Sequence, residues 1–155
     1  MTEPRVIDMP LYVDDRGTVH CAFDNMHNFG IRRTYIIRNW AKGMIRAWHL
    51  HMNGNTYFHV IDGVAKIAAL KYDPKAYWSN EEYIMTIDNP LTIVILSSEK
   101  PQLFMIPKGF YNGFSSLMDN TKILVYSTLS FADCENDNKR LSSKAFKEIW
   151  ETKDR

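Results

Sequence analysis

Tyr57-Phe-His-Val-Ile61, Asp62-Gly63 and Val64-Ala-Lys-Ile-Ala-Ala-Leu-Lys-Tyr72 form the stretch whose reading decides the fold. Aromatic and β-branched residues before the Asp-Gly pair suit a pleated, half-buried surface, and Asp-Gly is a tight-turn signal. The stretch predicts two strands joined as a hairpin. The same pattern continues on both sides. Arg33 to Ile37, Met44 to His51, Tyr83 to Ile87, Thr92 to Leu96, Gln102 to Ile106 and Lys122 to Ser130 read as further short strands. Turn-forming groups separate them: Asp14-Asp-Arg-Gly17, Trp40-Ala-Lys-Gly43, Met52-Asn-Gly-Asn55 and Pro107-Lys-Gly109. Many short strands with regular turn signals predict an all-β sandwich or barrel.

Only the tail has helical spacing. Ser142 or Ser143 is a suitable N-cap, and Ala145, Phe146, Ile149 and Trp150 then fall on one apolar face. The expectation is a short C-terminal helix over about 142–152, packed on the outside of the barrel or on a partner subunit. The 155 residues suit a single domain, with the barrel over about 10–135.

Composition excludes some functions. Charged residues make up 24% and the formal net charge is +1, so no electrostatic reason exists to expect nucleic acid or an anionic membrane as partner. No apolar run approaches the ~20 residues that span a bilayer. The start, Met-Thr-Glu-Pro-Arg, is not followed by the apolar run of a signal peptide. The two cysteines, Cys21 and Cys134, form no paired motif, and a cytoplasmic location is expected.

The segment Arg46-Ala-Trp-His-Leu-His51 carries the chemistry. Period-two alternation puts His49 and His51 on one face of a strand. Tyr57 and His59 share a face on the next strand. If both faces point inward, three imidazoles and a phenol line one pocket, and Tyr126 adds a second phenol. Simple alternation puts Arg46 opposite His49, so a bulge is needed to bring both inward. A satisfied, half-buried histidine is the ordinary alternative. Three polar groups clustered within six residues of a core strand favour function, because burying them unused costs stability.

Two chemistries compete. Gly43, His49, His51 and Gly63 follow the spacing of the cupin metal motif in outline, but Asn55 or Thr56 stands at the carboxylate position and Asn112 at that of the last histidine. The other reading is metal-free proton transfer, with a neutral histidine as base and a tyrosine returning the proton. It suits epimerisation or isomerisation beside a carbonyl, where an enolate needs a nearby donor or cation such as Arg46. No metal and no cofactor are expected.

Three stretches resemble the dTDP-4-dehydrorhamnose 3,5-epimerase family of sugar-nucleotide enzymes. Asp14-Asp-Arg-Gly17 is similar to its DxRG turn, Arg46-Ala-Trp-His49 to its RGLH strand, and Ile106-Pro-Lys-Gly-Phe-Tyr-Asn-Gly-Phe114 to its IPxGFAHGF loop. Val125-Tyr126 falls where that family has its catalytic tyrosine. The resemblance implies a cupin jelly-roll barrel, paired as a homodimer with an N-terminal strand crossing to the partner. It implies His49 as base, Tyr126 as acid, and Arg16 and Arg46 as contacts to the diphosphate of a nucleotide-sugar substrate. Tyr57, His59 and Asn112 are further candidates to line the substrate pocket. Phe29-Gly-Ile-Arg-Arg-Thr-Tyr35 with Arg46 to His51 is also similar to sugar-nucleotide 3,4-ketoisomerases, in which His51 would be catalytic too. The expected function is epimerisation of a nucleotide-linked 4-keto-6-deoxy sugar. A 3,4-ketoisomerase or a non-catalytic sugar-nucleotide-binding cupin is the alternative.

Overall fold

A computed structural model describes residues 2–24, 26–75, 77–79, 82–84 and 91–151. The strands are β1 (Arg5–Asp8), β2 (Leu11–Asp14), β3 (Gly17–His20), β4 (Arg33–Arg38), β5 (Ile45–His51), β6 (Thr56–Asp62), β7 (Val64–Lys71), β8 (Tyr77–Ser79), β9 (Glu82–Ile84), β10 (Leu91–Ser97), β11 (Gln102–Ile106), β12 (Phe110–Ser116), β13 (Lys122–Ser127) and β14 (Asn138–Arg140). One α-helix, α1 (Phe131–Asp137), lies between β13 and β14. The strand read over Tyr83 to Ile87 is described only as far as Ile84; residues 85–87 lie outside the described residues.

Two five-stranded antiparallel sheets face each other. The first has the order β1-β11-β6-β13-β4 and the second β10-β7-β12-β5-β14. The pairs β7·β10, β6·β11, β5·β12 and β4·β13 are nested around one another, and successive pairs alternate between the sheets. This is the cupin jelly roll.

The predicted Asp62-Gly63 hairpin is corrected by this order. β6 belongs to the first sheet and β7 to the second, so the turn carries the chain across the sandwich. The apolar rows explain the crossing. Phe58 and Val60 of β6 meet Ala65, Ile67 and Ala69 of β7 in one central cluster, with Phe104, Phe114 and Val125. Strands side by side in one sheet cannot pack these rows face to face. Gly63 has φ +84°, and a Cβ there would lie 2.7 Å from Thr121 Oγ1, so backbone freedom and space both require glycine.

The predicted C-terminal helix is also corrected. Residues 143–146 form turns, and Lys147–Trp150 is a single 3-10 turn. Phe146 is left-handed (φ 56°, ψ 38°), which breaks a continuous helix. Docking explains the break. Trp48 Nε1 donates to the Ala145 carbonyl at 3.1 Å, and Lys66 Nζ donates to the carbonyls of Ile149 (2.8 Å) and Glu151 (2.6 Å). The tail then lays Ala145 and Trp150 over Trp48, Leu50, Ala68 and Leu70 on the outer face of the second sheet. Residue 152 lies outside the described residues.

The strand read over Lys122 to Ser130 ends at Ser127, and helix α1 begins just beyond the read segment, at Phe131. Ser130 caps it: its Oγ accepts from the Asp133 amide, and its own amide donates to the Asp133 carboxylate.

Candidate active site

A cleft of about 1020 Å³ opens between the sheets. Phe58 and Phe114 line it and also belong to the central apolar cluster. One wall comes from β5, with Arg46, His49 and His51. The facing sheet contributes Arg33 and Tyr35 from β4, and the chain from Phe131 to Arg140 closes one side.

The bulge that Arg46 requires is present. Against β12, His49 pairs with Asn112 but Ala47 pairs with Gly113, so Trp48 is the extra residue. Ala47 and Trp48 both pack with the outer cluster, while Arg46 and His49 both line the cleft. Asn39, almost wholly buried, holds Arg46: its Oδ1 accepts from Arg46 Nε at 2.9 Å. Asn112 also lines the cleft and donates Nδ2 to the His49 carbonyl at 2.9 Å.

Burial pushes both histidines below the ordinary imidazole pKa. At His49 the Arg140 guanidinium adds to this, Asn138 opposes it, and His51 and Arg46 add smaller contributions. At His51 the Asp137 carboxylate opposes burial, and Arg33 reinforces it. Both rings are therefore held toward the neutral form that a base requires.

Four expected residues, Tyr57, His59, Tyr126 and Arg16, are not in the cleft. β6 alternates as read, but its Thr56 and Phe58 row faces inward, and Tyr57 and His59 face out. Register couples the third to them: Tyr126 is the cross-strand partner of Tyr57, so it also faces out, against Phe23. On the next rung Val125 faces inward, between Phe58 and Tyr35. The tyrosine of the cleft is thus Tyr35. Burial raises its pKa, and the Arg33 guanidinium, 4.7 Å from its ring centroid, opposes the rise. Arg16 sits in the turn of the β2–β3 hairpin, exposed and paired with Asp14, and does not line the cleft of its own chain.

Sequence reasoning passed over Arg33, Tyr35, Cys134, Glu135, Asn138 and Arg140, all of which line the cleft. For Arg33 and Tyr35 a signal existed in the alternation of β4. Arg33 Nη2 donates to the Cys134 thiol at 3.1 Å. Among the described residues, no group of three His, Cys, Asp or Glu side chains is placed to hold a metal ion.

A jelly roll whose polar cleft holds paired histidines, a tyrosine and three arginines defines the class by its architecture: a cupin fold. Among solved structures the chain is similar to dTDP-4-dehydrorhamnose 3,5-epimerase from Bacillus anthracis, with TM-score 0.74 and 17% identity over 90% of this chain and 79% of that one. It is similar to a 3,4-ketoisomerase from Helicobacter canadensis, with TM-score 0.68 and 19% identity over 91% of this chain and 92% of that one. Among curated proteins it is 28% identical over 109 residues to the spore coat polysaccharide biosynthesis protein SpsL of Bacillus subtilis. That match covers 66% of this chain and 65% of the length of SpsL. No family model matches the chain.

Proposed function

We propose that the protein is an isomerase of the epimerase type, acting on a nucleotide-linked 4-keto-6-deoxy sugar. The observation that carries this reading is the facing of imidazole and phenol across one cleft: His49 and His51 on β5, Tyr35 on β4. Epimerisation removes a proton from one face of a carbon beside the keto group and returns one to the other face, so it needs a base and an acid on opposite walls. Arg33, Arg46 and Arg140 surround the same space and suit the diphosphate and the developing enolate. The similarity to a dTDP-sugar epimerase supports the substrate class.

A 3,4-ketoisomerase is the second reading. Two histidines side by side can carry a proton between adjacent carbons, and the similarity to a ketoisomerase spans 92% of that chain. We also read the chain as a homodimer. The β2–β3 hairpin exposes Leu11, Tyr12, Val13 and Val19, a surface suited to a second copy. Among the described residues no helix is long and apolar enough to cross a membrane.

The test is solvent-deuterium incorporation into dTDP-4-keto-6-deoxyglucose, followed by product analysis. Inversion at a ring carbon supports the epimerase, and carbonyl migration supports the ketoisomerase. Absence of exchange with this and other nucleotide-linked keto sugars rejects both.

A further inference from the structure

We infer that His51, not His49, is the imidazole that takes the substrate proton, and that Asp137 is its positioning residue. This rests on the proton-transfer reading of the cleft. His51 Nδ1 is buried and lacks a hydrogen-bond partner, and Asp137 Oδ2 lies 3.8 Å from it. That distance is an ion-pair contact, longer than a hydrogen bond. Contacts of this kind tighten when a site closes on its substrate. Asp137 meets the ring with its backbone as well as its carboxylate, and both favour the imidazolium; with Nδ1 turned toward Asp137, Nε2 is the nitrogen left for the cleft.

Asp137 is itself fixed. Its side chain is only 9% exposed. The Asn53 amide donates to Oδ2 at 3.0 Å and Asn53 Nδ2 donates to Oδ1 at 2.8 Å. Asn138, the next residue, pairs across from His51 in the β14·β5 ladder, so the backbone also sets the carboxylate's place. A buried carboxylate aimed at a histidine has a cost of desolvation that an apolar residue would avoid. Among the described residues no carboxylate acts on His49: a hydrogen bond with the Asn138 side chain favours its cationic form, while Arg140, His51 and Arg46 disfavour it.

The groups facing His51 from every side are Asp137 and, in the cleft, Arg33 from β4, His49 on its own strand, and Cys134 and Glu135 from α1. Of these, Asp137 favours the imidazolium and Arg33 opposes it. The step balances simply. Nε2 of neutral His51 takes the proton from the carbon beside the keto group. The C–H electron pair becomes the enolate, and the imidazolium forms against the Asp137 carboxylate. Tyr35, on the facing wall, then gives its phenolic proton to the other face of that carbon and restores the keto sugar; the imidazolium releases its proton to solvent and the Tyr35 phenolate takes one back, which resets the site.

The experiment joins ring-¹⁵N NMR titration of His51 with the pH profile of deuterium exchange, in the wild type, Asp137→Asn and Asp137→Glu. In the wild type His51 should carry its neutral-state proton on Nδ1. In Asp137→Asn its pKa should fall by about one unit or more. The exchange kcat should fall about tenfold or more with KM little changed, the acidic limb should move to lower pH, and Asp137→Glu should recover part of the loss. An Nδ1-free tautomer in the wild type, or an unmoved His51 pKa in Asp137→Asn, overturns the proposal whether or not the protein turns over a sugar. The wild-type tautomer needs no variant to fold. Absence of exchange with a normal His51 titration would instead reject the keto-sugar reading.

Discussion

Arg46 and His49 both line the cleft although they are three residues apart on β5, because Trp48, unpaired against β12, shifts the register and sets Ala47 opposite Gly113 and Arg46 opposite Phe114. The partner strand makes this bulge possible at Gly113. A Cβ on Gly113 would lie 2.5 Å from the Cβ of Ala47 and 3.3 Å from the Trp150 ring. Gly113→Ala should therefore cost about 1–3 kcal/mol in denaturant unfolding and lower exchange activity by displacing Arg46 relative to His49. Unchanged stability and activity would show that the bulge does not depend on this glycine.

Tyr35 and Tyr126 lie on opposite sides of the first sheet, so their phenylalanine variants separate two assignments of the acid. Tyr35→Phe should lower the rate of epimerisation by about 100-fold or more, the range of a lost general acid. Tyr126→Phe should stay within about twofold of wild type. The reverse result, read from initial rates at saturating substrate, would restore Tyr126 as the acid.

The arginines offer a binding test. Arg46 is held through Nε by Asn39, which leaves its terminal nitrogens for an anion. Arg46→Ala should weaken dTDP binding about tenfold by calorimetry, since hydrogen bonds to charged groups contribute about 1.5–3 kcal/mol. The wild-type affinity should also fall with added salt. Equal affinity in the variant would place the diphosphate elsewhere.

A separate histidine governs acid stability. His59 is buried on the outer face of the first sheet, edge-on to His20, and its pKa is pushed down to about 4, chiefly by burial and then by His20. The unfolded chain takes up this proton near 6.5, before the folded chain does. The His59 contribution is thus fully present above about pH 6.5 and is lost as pH falls toward 4, to a total of about 1–3 kcal/mol. His49 and His51 add the same sign. Urea unfolding at pH 7.5 and 4.5 should show a smaller pH dependence in His59→Gln. An equal pH dependence would remove His59 as a source.

Parts of this architecture were legible in the residues and parts were not, for physical reasons. His49 and His51 were legible because two residues of spacing fixes a shared face whatever the sheet order. Which face of β6 points inward was not, because Thr56, Phe58 and Val60 on one side compete with Tyr57, His59 and Ile61 on the other, and both rows can be buried. That choice depends on sheet order, which Asp62-Gly63 does not reveal: the same turn serves a hairpin or a crossing between sheets. The need for a bulge at Arg46 was legible, but its place at Trp48 follows from β12. The Phe131 to Arg140 wall stayed hidden because Ser130 extends an apolar strand pattern while also opening a capping box with Asp133.

Strand β14 is the edge strand of the second sheet and pairs with β5, which β12 holds on its other side. A chain emerging from the ribosome can therefore bury its core before β14 is available, while His51 still lacks its carboxylate and the cleft lacks a side. A ligand of the cleft would meet its full lining only once β14 has joined. Such a ligand would stabilise chains whose β14 is in place over barrels that stop short of Asp137.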